Sequence, residues 1–211
     1  MPNPISPDVW KQLGVSRESL TRLEILADVL MHWQQRINLI AASTLGDVWN
    51  RHILDSAQLL PMIPEGVQAI ADLGSGGGFP SLVLAATQPA TVHFYEANAK
   101  KVAFLQEALR QMKVTGVVHR ERLELHKPPA QIPVVQLVTA RAFAPLDELL
   151  AYAAPFFAQG ATGLFHKGQD VDAELTQAAK SWKISAQKHS SLTDSKAVIL
   201  DVKEISHVGR N

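Results

Sequence analysis

The 211-residue chain carries 46% hydrophobic and 19% charged residues, the composition of a folded chain long enough for one buried core with an appended segment, which excludes a disordered protein. It has no cysteine, so disulfides, thiolate zinc sites and cysteine nucleophiles are excluded and a cytoplasmic location is expected. Twenty basic residues balance twenty acidic ones, so any nucleic-acid partner has to be met by a local patch.

The opening MPNPISPDVWKQLG lacks a basic start followed by an apolar core, so no secretory signal is expected. No apolar run approaches the roughly 20 residues that a membrane helix needs. Ser16 is placed to cap a helix in which Leu20, Leu23, Ala27, Leu30, Trp33 and Ile37 recur at helical spacing. A second helix is expected from about Thr44, carrying Val48, Ile53, Leu54 and Leu59 and ending at Pro61. PMIPEG then breaks the pattern, which divides the chain into a helical extension, 1–65, and a second unit, 66–211.

From Val67 short apolar runs alternate with helical ones. VQAIADL, TVHFYEA, GVVHRE, VVQLVTA and GLFHK read as strands. PSLVLAATQ, AKKVAFLQEALRQMK, LDELLAYAAPFF and DVDAELTQAAKSW read as the helices between them. This alternation predicts an α/β fold, a Rossmann-like, mainly parallel sheet with right-handed crossovers. ISAQKHSSL and KAVILDVKE, separated by TDS, add a C-terminal antiparallel hairpin at the sheet edge. The binding crevice is expected at the carboxyl ends of the strands, where DLGSGGGFP (72–80) begins.

That loop fails the phosphate-binding template, because Gly78 is followed by Phe79 and Pro80 and not by Lys-Ser/Thr. It also fails the dinucleotide fingerprint, which wants a small residue where Phe79 stands when counted from Gly74, and a glycine or alanine where Ser81 stands when counted from Gly76. What remains is Gly74, Gly76 and Gly78 preceded by Asp72, the pattern of S-adenosylmethionine-dependent methyltransferases of the doubly wound class. Asp72 is then placed to hold the cofactor's ammonium group, and Glu96, at the end of the next strand, the ribose hydroxyls. A ligand-free tight turn and a solvated Glu96 are the plainer readings of the same residues. Phe79 either walls the cofactor or packs in the core, the latter being the simpler reading.

Absences narrow the methyl transfer. Without cysteine there is no carbon-5 pyrimidine chemistry. TARAFAPL stands where exocyclic-amine methyltransferases often carry an Asp/Asn-Pro-Pro-aromatic motif, and no carboxylate cluster offers a metal site. A ring nitrogen with a free lone pair, such as guanine-N7, needs no general base and is compatible with the rest.

NLI (38–40), RHILDS (51–56), DLGSGGGFP, AKKVAFLQE (99–107), RLE (122–124), ARAFAPL (140–146) and HKGQ (166–169) occur in one order from about Trp33 onward. In this the chain resembles the bacterial small-subunit (16S) ribosomal RNA guanine-N7 methyltransferase family, historically called glucose-inhibited division protein B. The resemblance implies a cytoplasmic enzyme, expected to be a monomer, that methylates a guanine in the decoding-region loop of 16S ribosomal RNA or of the assembling small subunit, with S-adenosylmethionine as cofactor. It further implies that Gly74, Gly76 and Gly78 form the cofactor loop, Glu96 the ribose acid, Leu123 and Glu124 the adenine side, and Arg141 a positioning group beside the methyl. The family usually has Pro-Gly where this chain has Pro80-Ser81, and commonly aspartate where it has Glu96.

Arg141 could instead form a structural ion pair with Asp147 or Glu148. His52 and Asp55, three apart on one helical face, either pin the extension to the sheet or line the target-base pocket, and Asn38 is equally open. Lys100, Lys101, Arg110, Lys113, Arg120 and Arg122 form the richest basic region, mostly solvated. Of these Lys101 and Arg122, with Lys167 of HKGQ, are the candidates for RNA contact. A methyltransferase of another RNA, a protein or a small molecule, and a cofactor-binding regulatory module without catalysis, are the alternative functions.

Overall fold

The computed structural model describes residues 3–125, 128–130 and 132–209. Helix α1 (Pro7–Gln12), not anticipated from the apolar spacing, starts where the Ser6 side chain accepts from the Asp8 amide and Pro7 occupies the first turn. Helix α2 (Arg17–Gln34) begins as expected, with Ser16 Oγ accepting from the Ser19 amide at 3.0 Å. The expected second helix is fragmented. A 3-10 turn (Ala42–Asp47), a π-helical turn (Trp49–Leu54), the short α3 (Asp55–Ala57) and a 3-10 turn (Leu60–Met62) follow one another. The Thr44 hydroxyl turns back onto the Ala41 carbonyl at 2.8 Å, Gly46 weakens the helix, and Pro61 interrupts its end.

The rest alternates: β1 (Ala69–Leu73), α4 (Ser81–Thr87), β2 (Thr91–Tyr95), α5 (Ala99–Met112), β3 (Gly116–His119), β4 (Leu137–Arg141), α6 (Leu146–Phe157), β5 (Thr162–Lys167), α7 (Val171–Ala178), β6 (Trp182–Ser190) and β7 (Val198–His207). The sheet order is β3-β2-β1-β4-β5-β7-β6, with the first five strands parallel and β7 inserted antiparallel between β5 and β6. The last helix stops before Trp182, which opens β6 and stacks on His207 with ring centroids 3.9 Å apart. Helices α2, α4 and α5 share one apolar core with the N-terminal turns on one face of the sheet, while α6 and α7 bury theirs on the other. No helix among the described residues is long and apolar enough to cross a membrane. The strand order reverses between β1 and β4, which opens a crevice at their carboxyl ends.

Candidate active site

At the end of β1 the chain turns through Gly74 (φ +69°) and Gly76 (φ +52°), both in the left-handed region that glycine enters without strain. The Gly76 amide donates to Glu96 Oε2 at 2.9 Å and the Asn98 amide to Glu96 Oε1 at 2.7 Å. Glu96 is therefore oriented by two backbone amides, and its remaining lone pairs are left for a ligand. The loop, Tyr95, Glu96, Leu123, Phe143 and Tyr152 line a cavity of about 450 Å³, a size suited to a small-molecule ligand.

A second cavity, of about 930 Å³, opens beside it, lined among others by Thr44, His52, Asp55, His166 and Thr193. The two share Leu39, Arg141, Ala142 and Phe143. Ala142 sits at this seam with φ +49°, a left-handed conformation that costs a non-glycine residue about 1–3 kcal/mol.

Arg141, the last residue of β4, is the most heavily bonded side chain at the seam. Its Nη1 donates to Asp55 Oδ2 at 3.1 Å and to the Arg51 carbonyl at 3.2 Å, and its Nη2 to His52 Nδ1 at 2.9 Å. The guanidinium carbon lies 5.2 Å from the centre of the Phe79 ring, which His52 also contacts, at 5.1 Å between centroids. Because His52 Nδ1 accepts from Arg141, its Nε2 carries the proton and donates to Thr44 Oγ1 at 2.8 Å. Burial, with Arg141 beside it, pulls the His52 pKa down to about 4, so the ring is neutral near neutral pH.

Asp55 is held from every side. Its Oδ1 accepts from Gln58 Nε2 at 2.8 Å and from the Thr193 hydroxyl at 2.7 Å. Its carbonyl accepts from His166 Nε2 at 2.8 Å. This fixes the His166 tautomer with Nδ1 as the lone-pair nitrogen, a buried atom without a hydrogen-bond partner. Burial lowers the His166 pKa as well. Arg141 thus forms an ion pair, not with Asp147 or Glu148, the plainer alternative the sequence offered, but with Asp55 from the N-terminal extension.

The other residues singled out from the sequence divide by position. Lys101, Arg122 and Leu123 border the smaller cavity with Glu96, Gly74 and Gly76, and Phe79 is both buried and on its wall. Glu124 lines a small recess next to Arg122 and Leu123. Gly78 lies buried under the loop, against Leu82. Asp72 is 1% exposed and lines neither cavity. Its Oδ1 accepts from the Thr139 hydroxyl at 2.7 Å, and burial pushes its carboxyl pKa up. Asn38 is exposed and outside both cavities. Lys167 borders the larger cavity, but its side chain is 8% exposed and paired with Glu174 at 2.5 Å.

Several cavity residues were not singled out: Leu39, Gly77, Ala142, Phe143 and His166. Leu39 and Phe143 lie inside the NLI and RAF motifs, where the signal was present without a role. Gly77 has an ordinary φ, yet a Cβ there would stand 2.5 Å from the Leu39 carbonyl oxygen, so the two segments can touch only through glycine. Among the described residues no group of three or more His, Cys, Asp or Glu could hold a metal ion.

A doubly wound sheet with an antiparallel strand inserted at β7, a glycine turn after β1 and an acid after β2 define a class I, Rossmann-like methyltransferase fold. Solved structures agree at the level of fold. A putative O-methyltransferase from Klebsiella pneumoniae aligns with TM-score 0.56 and 15% identity over 85% of this chain and 90% of its own. A ribosomal protein L11 methylase from Lactobacillus delbrueckii subsp. bulgaricus gives TM-score 0.54 and 12% identity over 72% and 77%. The family model described as "rRNA small subunit methyltransferase G" matches residues 19–202, and the chain belongs to that family. Curated relatives named ribosomal RNA small subunit methyltransferase G include one from Paramagnetospirillum magneticum, 46% identical over 92% of both chains. Another, from Rhodospirillum rubrum, is 49% identical over 90% of this chain and 93% of its own. The match starts at Ser19, upstream of the Trp33 boundary drawn from motifs, so α2 is part of the family pattern.

Proposed function

We propose that this protein transfers a methyl group from S-adenosylmethionine to N7 of a guanine in the decoding-region loop of 16S ribosomal RNA, free or in the assembling small subunit. The observation that carries this reading is the pair of cavities meeting at Arg141, Ala142 and Phe143: a glycine-walled cavity with an oriented carboxylate, and a larger polar one beside it.

The smaller cavity fits the cofactor. Left-handed glycines leave its wall free of Cβ atoms, Glu96 offers acceptors to a diol, and Leu123, Tyr95, Phe143 and Tyr152 supply apolar and aromatic wall. Bound there, S-adenosylmethionine would supply an electrophilic methyl on a sulfonium. Lys101 and Arg122, which border this cavity, would meet RNA phosphate. Asp72 is buried beneath the loop, where its carboxylate ties β1 to β4 through Thr139.

The chemistry of the larger cavity favours a ring nitrogen over an amine. His52 uses both ring nitrogens, His166 has its Nε2 on a carbonyl and its unpartnered Nδ1 buried out of reach, and Asp55 is held by Arg141, Gln58 and Thr193. None is poised to remove a proton, and guanine-N7 has a lone pair that requires no removal. The protein contributes alignment and a preorganised polar wall. The same reading makes it a cytoplasmic monomer with no metal. Mass spectrometry of 16S RNA from cells lacking the protein is expected to show one 7-methylguanine fewer, restored by the native gene. Unchanged RNA overturns the reading.

A further inference from the structure

The Arg141–Asp55 ion pair lies asymmetrically across the seam. Arg141 borders both cavities, whereas Asp55 borders only the larger one. The pair is 3.1 Å long, with side chains 19% and 15% exposed, so its field is weakly screened. Its positive end is at the seam and its negative end faces away from the smaller cavity. Of the other charged groups lining the larger cavity, Arg51 is paired with Asp194 at 3.1 Å and Lys167 with Glu174. Gln58 and Thr193 hold the carboxylate as neutral hydrogen-bond donors, and His52 and His166 both carry their proton on Nε2 with the other nitrogen unprotonated in this arrangement.

We propose that this ion pair is an electrostatic device for the transfer, with Asp55 as a positioning residue that fixes Arg141 and supplies the negative pole on the target-base side. The proposal rests on the guanine-N7 reading above. In that reaction the N7 lone pair forms the bond to the methyl carbon, the carbon–sulfur bond breaks with its electrons going to sulfur, and no proton moves. Positive charge therefore leaves sulfur, in the smaller cavity, and appears on the purine ring, in the larger one. A dipole with its positive end at the seam and its negative end in the larger cavity disfavours the charge at its origin and favours it at its destination. This is stabilisation that grows along the reaction coordinate, the kind that raises the rate and not only the affinity.

The corollary is measurable without turnover. The native protein should bind a subunit whose target guanine is already methylated, and hence cationic, more tightly than the unmethylated subunit. Dissociation constants would be measured in mildly acidic buffer, where the methylated base keeps its positive charge, with small subunits from cells containing and lacking the activity. A preference of about tenfold is expected for the native protein and about none for Asp55→Asn, with Asp55→Glu intermediate. In turnover, Asp55→Asn should lower kcat by about tenfold or more with the RNA KM little changed.

Asp55→Asn also leaves Arg141 without its counter-charge, so folding is checked by circular dichroism. If that variant does not fold, the native protein still decides the matter, since an absent preference for the methylated subunit overturns the proposal. So does a folded Asp55→Asn that keeps both the preference and its kcat. Base analysis separates the two levels. If the native product is not 7-methylguanine, the proposed function falls; if it is and the preference is missing, only the role of the ion pair falls.

Discussion

Replacing Gly74, Gly76 and Gly77 one at a time by alanine separates backbone strain from steric conflict. At Gly76 the added Cβ meets nothing closer than the Gly74 carbonyl at 3.6 Å and Lys101 Nζ at 4.0 Å. Only the left-handed φ of +52° is penalised, by about 1–2 kcal/mol. At Gly74 the same penalty applies, and the Cβ would also fall within the Phe143 ring, which has to move away from the seam. Overpacking of that kind adds about 1–3 kcal/mol, for a total of roughly 2–5 kcal/mol. Gly77 pays no φ penalty, but its Cβ would stand 2.5 Å from the Leu39 carbonyl, a backbone atom that moves only with the whole NLI segment, at a cost of about 1–3 kcal/mol. Urea denaturation of the ligand-free proteins should therefore rank Gly74→Ala as the most damaging. Its melting temperature should fall by about 2–4 °C for each kcal/mol. Equal losses for Gly74→Ala and Gly76→Ala would mean that Phe143 does not rest on Gly74, and the description of the seam would be wrong.

Acid should weaken the fold through His52. Its pKa is about 4 in the folded protein against an ordinary 6.5, so the unfolded chain binds the extra proton between those values. Stability is then full above about pH 6.5 and is lost as the pH falls toward 4, by at most about 3 kcal/mol from this residue. His166 acts in the same direction, while Asp72, whose pKa is raised, acts in the opposite one. The urea midpoint should drop between about pH 7 and about pH 4.5, and drop less in His52→Gln; an equal drop in both removes His52 as the cause. Glu96→Gln should keep the Gly76 and Asn98 amides partly bonded while weakening S-adenosylmethionine about tenfold by calorimetry, and unchanged affinity would reject Glu96 as the ribose acid.

Most of the sheet and the helices after residue 66 were legible because each is a short periodic run, and four of the six strand pairings, β1–β2, β2–β3, β4–β5 and β6–β7, join consecutive strands. The region 42–62 was not. Its apolar spacing is helical, yet Thr44, His52, Asp55 and Gln58 spend their side chains on the seam and on the 191–193 turn, contacts that a local pattern does not register. The meeting of the glycine turn with Glu96 was legible for the opposite reason, since the two stand at the ends of neighbouring paired strands.

Arg141 shows where local reasoning fails. The nearest acids in sequence are Asp147 and Glu148, and the acid it actually pairs with is Asp55, 86 positions upstream. HKGQ fails in a subtler way. Lys167 carries the charge, but side chains alternate along a strand, and it is His166 that stands opposite Arg141 in the β4–β5 register. His166 therefore shares the face of Arg141 and reaches Asp55, whereas Lys167 faces α7 and is spent on Glu174. Both residues border the larger cavity, and what separates them is their partners, since the Lys167 ammonium is already neutralised by Glu174 while His166 is bonded to the Asp55 carbonyl beside Arg141.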